Sequence, residues 1–257
     1  MKKLMIAAAA ALCATVGMSE GVSSQNIVGY MGKSFANGYT IASGMFLNIT
    51  NTTGAINIQD IVPSVASGTI ESGDLALFVI NPARTTVGTY TYEPEKWNKK
   101  HTEIIAVAGW YVGDDLANVS FEQGSGYMVE CSKAITLTYA GLVNQTSPGF
   151  IAPAAGYYRV GNMTPAPVSI QSLTPVASSA IESGEVAIFT YNSDRSIKGT
   201  YTYEPEKWNK KHTEIIAAAG WYVGDDLATL TLQPGDGFVL EVSRAMTITF
   251  PSPVPAE

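Results

Sequence analysis

The sequence predicts an all-β protein built from two tandem homologous β-domains of the sandwich or barrel type. Apolar or alternating segments of about six residues predict strands, and Gly, Pro, Asn and Ser separate them at intervals of about ten residues. A duplication runs through nearly the whole chain, so the clearest strand patterns occur twice. These strands are predicted at residues 74–80, 126–131 and 134–139, with counterparts at 185–191, 237–242 and 245–250.

The duplication centres on a stretch that hardly differs between the two copies. Residues 88–117 match residues 199–228 at 29 of 30 positions, and only Val107 against Ala218 differs. The flanks have drifted further, with 11 identities in 24 positions before the stretch and 7 in 22 after it. Either the stretch was copied recently or both copies must make the same contact, and the sequence leaves both explanations open. We call these two stretches the identical block.

The offset of 111 residues between the copies divides the chain into two repeats. It predicts one β-domain over residues 25–141 and a second over residues 142–257. At this offset residues 38–39 fall on residues 149–150, which share a Gly-aromatic pattern. The opening segment of the first repeat also aligns roughly with its closing strand. We therefore expect the strand that closes the first repeat to open the second.

One segment of the identical block, residues 93–109, fits two structures. As a helix it would have Pro94 in the first turn and Gly109 just after the last turn. As a hairpin it would place strands at residues 90–92 and 102–106. The predicted fold class therefore allows one short helix in each repeat.

Residues 1–24 have the pattern of an export signal. Lys2 and Lys3 precede an apolar run over residues 4–16, which is too short to span a bilayer, and small residues follow it. Cleavage is predicted within residues 17–24. No later apolar run reaches 18 residues. We therefore expect a bacterial protein that is secreted or held at the cell surface, without membrane insertion after signal cleavage.

Charge and cysteine content argue against nucleic acid as a partner and against an intramolecular disulfide. The formal net charge is −7, which makes the chain a poor partner for nucleic acid. Cys13 lies in the predicted signal, so Cys131 remains as a single cysteine and an intramolecular disulfide is excluded. Its counterpart in the second repeat is Val242. This exchange favours a small buried hydrophobic residue at Cys131 over an intermolecular disulfide or a reactive thiol.

No catalytic constellation is recognisable, so the chain is predicted not to be an enzyme and to need no cofactor. The two histidines, His101 and His212, are equivalent and lack a nucleophile motif. Paired carboxylates in a Gly-Asp-Asp turn provide oxygen ligands for calcium, although the spacing of a dedicated calcium loop is missing. These weak metal candidates are Asp114, Asp115, Asp225 and Asp226.

The identical block contains all four tryptophans, next to tyrosines and lysines. Such residues can fill a core, anchor a protein interface or stack on a sugar ring, and the sequence leaves these three roles open. The ligand or interface candidates are Tyr92, Trp97, Lys99, His101, Trp110, Tyr203, Trp208, Lys210, His212 and Trp221.

Four short motifs carry a resemblance to a group of proteins. They are an Asn-Ile-Val-Gly-Tyr opening at 26–30, Gly-Asp at 73–74, Tyr-Thr-Tyr at 90–92 and Gly-Ser-Gly-Tyr at 124–127. In this order they resemble uncharacterised secreted bacterial proteins with tandem β-rich repeats. The resemblance implies an exported β-domain architecture and brings no catalytic residues with it.

Export, duplication and the identical block together predict a non-enzymatic structural or adhesive protein of the cell surface or extracellular matrix. Sheet edges and the aromatic residues of the block would let it assemble with itself into fibres. The alternative is a bivalent carbohydrate-binding module with one site in each repeat. The expected partner is therefore a second copy of the chain or a surface glycan.

Overall fold

The computed structural model describes residues 28–44, 46–47, 55–144, 146–208, 210, 213 and 215–252, apart from the side chain of Trp208. The predicted signal, residues 1–24, and its cleavage site lie outside the described residues. Within the described ranges no helix is long and apolar enough to cross a membrane.

The all-β prediction is confirmed. The first repeat forms strands β1 (Val28–Phe35), β2 (Gly38–Ser43), β3 (Ile56–Asn57), β4 (Val62–Ser64), β5 (Leu75–Ile80), β6 (Thr86–Glu93), β7 (Lys96–Trp97), β8 (Ile104–Ala106), β9 (Gly109–Val112), β10 (Asp115–Leu116), β11 (Ser120–Phe121), β12 (Gly126–Cys131) and β13 (Ile135–Leu142). A 3-10 turn at Ile58–Asp60 follows β3, and the Asn57 side chain caps it by accepting from the amide of Gln59.

The second repeat builds an equivalent series. Its strands are β14 (Gly149–Ala152), β15 (Gly156–Gly161), β16 (Val168–Ser169), β17 (Thr174–Val176), β18 (Val186–Tyr191), β19 (Ile197–Glu204), β20 (Lys207–Trp208), β21 (Ile215–Ala217), β22 (Gly220–Val223), β23 (Asp226–Leu227), β24 (Thr231–Leu232), β25 (Gly237–Val242) and β26 (Met246–Thr249). Its 3-10 turn is Ile170–Ser172.

Each repeat arranges its strands in the same four antiparallel sheets. In the first repeat these are β1-β13-β4, β10-β9-β6-β5-β12-β2, β11-β3 and β7-β8. In the second they are β14-β26-β17, β15-β25-β18-β19-β22-β23, β16-β24 and β20-β21. The six-stranded sheet of each repeat therefore has β2 or β15 at one edge and β10 or β23 at the other.

Each repeat has its own hydrophobic core, made by both of its larger sheets. In the first repeat Leu75 and Leu77 of the six-stranded sheet are buried in one cluster with Leu137 of the three-stranded sheet. The second repeat has the equivalent cluster. Cys131 is buried in the first core, as predicted from its exchange with Val242, and burial raises the pKa of its thiol to about 12.

The repeats contact each other through the edge strands β2 and β15 and their neighbours β12 and β25. The amide of Tyr39 donates to the carbonyl of Ser193 at 2.8 Å, and the amide of Tyr157 donates to the carbonyl of Pro82 at 3.1 Å. Each repeat thus gives its edge tyrosine to the equivalent turn of the other repeat. Reciprocal contacts of this kind relate two units by an approximate two-fold axis. We call this the inter-repeat contact.

Two predictions of strand alignment are wrong. Residues 38–39 do not correspond to residues 149–150: Gly38 pairs with Cys131 and Gly156 pairs with Val242, so their counterparts are residues 156–157. The offset between equivalent residues of the two repeats exceeds 111 here, because twelve residues connect β2 to β3 whereas six connect β15 to β16. The closing strand β13 also does not open the second repeat. Both of its edges are occupied, by β1 and β4, and β14 opens the second repeat instead.

The helix that the sequence allowed in residues 93–109 does not form. The segment contains a hairpin in which Lys96 pairs with Ala106 and Trp97 pairs with Ile104. Two local features favour this outcome. Ile104 and its neighbour are β-branched, which suits a strand. Asn98 holds the connecting turn by accepting from the amides of Lys100 at 3.1 Å and Thr102 at 3.0 Å.

A pH-dependent contact closes the turn before β5. Asp74 pairs with Lys133 and also accepts from Ser132 and from the amide of Glu71, and these contacts, the Lys133 contact above all, hold the pKa of Asp74 at about 2. A carboxyl with a lowered folded-state pKa stabilises the fold above its usual pKa and loses that contribution as the pH falls. We expect Asp74→Asn to lose less thermal stability than the wild type between pH 4 and pH 2, measured by circular dichroism. Parallel pH profiles would contradict this assignment.

Candidate functional site

The identical block forms the outer part of each six-stranded sheet. It supplies most of β6 and all of β9 and β10, on the side of the sheet away from the edge strand β2. The hairpin β7–β8 connects β6 to β9 and forms a separate two-stranded sheet. In the second repeat β19, β22, β23 and the hairpin β20–β21 have the same arrangement. The block is therefore partly core and partly a projecting hairpin.

Four of the aromatic candidates belong to the cores. Trp110 and Trp221 are fully buried, and their indole N–H groups donate to the carbonyls of Ile61 at 2.8 Å and Leu173 at 2.9 Å. Tyr92 and Tyr203 are half-buried against these indole rings, edge to face, with ring centroids 5.6 and 5.5 Å apart. These four residues hold the outer strands to the core rather than facing a ligand.

The hairpin of the first repeat, by contrast, exposes apolar side chains. Ile105 is 64% exposed and Trp97 is 42% exposed, and Ile104 and Val107 are exposed as well. The indole N–H of Trp97 donates to Glu95 at 2.6 Å. In the hairpin of the second repeat, Ile215 and Ile216 are exposed as well, Ile216 to 65%. We call these exposed apolar side chains of each hairpin, which belong to neither core, the hairpin patch.

The tip of the hairpin carries the remaining polar candidates. Lys99 and His101 are exposed in the turn between β7 and β8, and His101 adopts a φ of 52°. The amide of Asn98 donates to the carbonyl of Glu103 at 2.9 Å and closes the turn. Both side chains face solvent at the tip, and the described residues place His101 in no group of three or more metal-ligating side chains.

Charge is distributed unevenly along the hairpin. The tip, residues 98–103, has Lys99 and Lys100 against one glutamate. The base, residues 93–96, has two glutamates against Lys96. Lys96 is already paired within the base, with Glu93 at 3.1 Å. The tip is therefore net positive and the base net negative, with apolar residues between them.

The second hairpin has equivalent polar residues. Lys210 is exposed, like Lys99, and Lys207 pairs with Glu204 at 3.1 Å, as Lys96 does with Glu93. Trp208 lies in β20 at the position of Trp97. The side chain of Trp208 and the whole of His212 lie outside the described residues.

The paired aspartates lie in the tight turns that join β9 to β10 and β22 to β23. Asp114, Asp115, Asp225 and Asp226 are all exposed. No group of three or more His, Cys, Asp or Glu residues in the described ranges is arranged to hold a metal ion. Among the described residues, therefore, no third side chain of these types joins either pair of aspartates.

The sequence reasoning missed the residues of the inter-repeat contact. The guanidinium of Arg195 lies over the ring of Tyr39 and that of Arg84 lies over the ring of Tyr157, each 3.4 Å from the ring centroid. A signal was present, because an Asn-x-x-Arg turn recurs at 81–84 and 192–195 although its middle residues differ. The tyrosine partners were hidden by the incorrect alignment of the first strands.

No protein-family model matches the chain, and neither the curated proteins nor the solved structures contain a significant match.

Proposed function

We propose that the chain is an exported, non-enzymatic structural or adhesive protein of the cell surface or extracellular matrix that assembles with itself through its two hairpin patches. The observation that carries the proposal is the exposed apolar surface of the hairpin, present in both copies of the identical block. Clustered apolar side chains on a surface are typical of interaction sites. The signal pattern of residues 1–24 supports export.

The hairpin itself gives a physical reason to expect a partner. A two-stranded hairpin is marginally stable in water when it packs on nothing. Nearly all of residues 95–108 are exposed, including Trp97, Ile104 and Ile105. Covering these side chains with a second surface would stabilise the hairpin and remove apolar area from water. A bound partner would therefore cover the apolar side chains of the hairpin, as the core covers those of the rest of the block.

A second copy of this chain is the occupant that fits best. The partner surface must be apolar, with an acidic region where the lysine-rich tip lies and a basic region where the acidic base lies. Another hairpin in the opposite orientation provides all three features. The near identity of the two blocks also lets either hairpin of one chain meet either hairpin of another.

We expect the double substitution Ile105→Lys and Ile216→Lys to prevent assembly. Both side chains are mostly exposed, so a charge there places little strain on the monomer but would be buried in the interface. Sedimentation velocity of residues 25–257 should give larger species with rising concentration for the wild type and a monomer for the variant. Ile151→Lys, which changes an isoleucine of 69% exposure outside the block, is the matched control and should assemble normally.

A bivalent carbohydrate-binding module is the second candidate, favoured by the partly exposed indole of Trp97. A tryptophan ring that faces solvent can stack on a sugar. Trp97→Ala together with Trp208→Ala should then abolish retention on immobilised glycans while the double isoleucine variant, if folded, still binds. Unchanged retention by the tryptophan variant would exclude this candidate.

A further inference from the structure

We infer that copies of this chain join end to end through like ends, each hairpin patch pairing antiparallel with a hairpin patch of the next copy, so that assembly is linear and unbranched. This inference rests on the proposed self-assembly and specifies its geometry. Three features of the molecule support it: the reciprocal inter-repeat contact, the charge polarity of the hairpin, and the near identity of the two hairpins.

The inter-repeat contact determines where the hairpins lie. The repeats meet at β2 and β15, which are edge strands of the two six-stranded sheets. The outermost strands at the other edges, β10 and β23, belong to the identical block. In both six-stranded sheets, the block strands thus lie at the edge away from the strands that make the reciprocal inter-repeat contact. Each chain therefore offers two equivalent ends.

The charge polarity of the hairpin selects the way in which two ends meet. Side by side in the same direction, two hairpins would bring Lys99 and Lys100 against the same lysines of the next copy. In the opposite direction, the positive tip of each hairpin lies against the acidic base of the other. This antiparallel arrangement is a two-fold contact, in which the same surface serves both partners.

The alternative geometry is a heterologous contact, in which a hairpin binds some other surface of the next copy. The described residues include exposed apolar side chains outside the block, such as Ile151 and Val176 on the three-stranded sheet of the second repeat. Both residues pair with Thr247 of β26, so no carboxylate lies opposite them in the neighbouring strand to match the lysine-rich tip. The hairpin itself is the better match.

Single-end variants distinguish the two geometries. Ile105→Lys alone and Ile216→Lys alone each leave one intact end. A like-to-like contact predicts that dimers are the largest species for either variant in sedimentation velocity, whereas the wild type forms longer assemblies. A heterologous contact predicts that either variant still polymerises through its remaining hairpin, and that result would overturn the inference while leaving self-assembly intact.

The other outcomes are equally informative. A wild-type chain that stays monomeric at high concentration would overturn the proposed self-assembly, and the geometry with it. Loss of polymer in the Ile151→Lys control would indicate a heterologous acceptor surface and overturn the inference. Near-ultraviolet circular dichroism of each variant verifies folding. Ile105→Thr and Ile216→Thr are milder substitutions that keep a β-branched side chain in the hairpin. Each of them alone should also give smaller assemblies than the wild type in sedimentation velocity.

Discussion

Replacing Trp110 by alanine should lower the free energy of unfolding by about 3–5 kcal/mol, the range typical of a large aromatic side chain removed from a core. Trp110 is fully buried, contacts Tyr92 edge to face, and donates its indole N–H to the carbonyl of Ile61. The substitution leaves a cavity and an unpaired carbonyl. Urea unfolding followed by far-ultraviolet circular dichroism would measure the loss as a lower midpoint.

Trp97→Ala is the matched control, because Trp97 belongs to the same identical block but is 42% exposed. Its indole bonds only to the neighbouring Glu95 among the described contacts. We expect a loss within about 1 kcal/mol, as for most surface substitutions. Equal losses for the two variants would contradict the division of the block into a buried part and an exposed hairpin.

Gly237→Ala should destabilise the inter-repeat contact by about 1–3 kcal/mol, the usual effect of overpacking a close-packed site. A methyl group at Gly237 would lie 2.6 Å from the backbone carbonyl carbon of Ile41 in the other repeat. Gly126 makes the reciprocal approach, with a methyl group 2.7 Å from the carbonyl carbon of Arg159. A backbone cannot move aside as a flexible side chain can, so each substitution pushes the repeats apart.

Hydrogen exchange at the amides of Tyr39 and Tyr157 measures this effect directly, because both amides donate across the inter-repeat contact. Faster exchange at both positions is expected in Gly237→Ala. Gly44→Ala is the control, since its methyl group would meet only Ile56 at an ordinary 3.7 Å. Unchanged exchange in Gly237→Ala would contradict the close approach of the two repeats.

The strands could be predicted from the sequence where apolar residues alternate between turn signals. The predictions at residues 126–131 and 237–242 match the strands to the residue, because a glycine turn precedes each strand and the residues that follow it are mostly apolar. The first strands could not be aligned between repeats. The connection from β2 to β3 differs in length, and a fixed offset of 111 residues cannot follow such a difference.

The sequence singles out the aromatic residues of the identical block as candidates, but it does not indicate which of them are buried and which are exposed. Trp97 and Trp110 lie thirteen positions apart in one identical stretch, and both are aromatic. They differ in burial because Trp97 pairs with Ile104 in a bulged hairpin that lies outside the core. The pairing depends on how Asn98 folds the turn, and local pattern alone left a helix equally possible.

Negative-stain electron microscopy of residues 25–257 across a concentration series tests the central claim most directly. The account predicts unbranched filaments whose length grows with concentration for the wild type, and single particles for the variant that carries both Ile105→Lys and Ile216→Lys. Monodisperse wild-type particles at the highest concentration would contradict self-assembly through the hairpin patches.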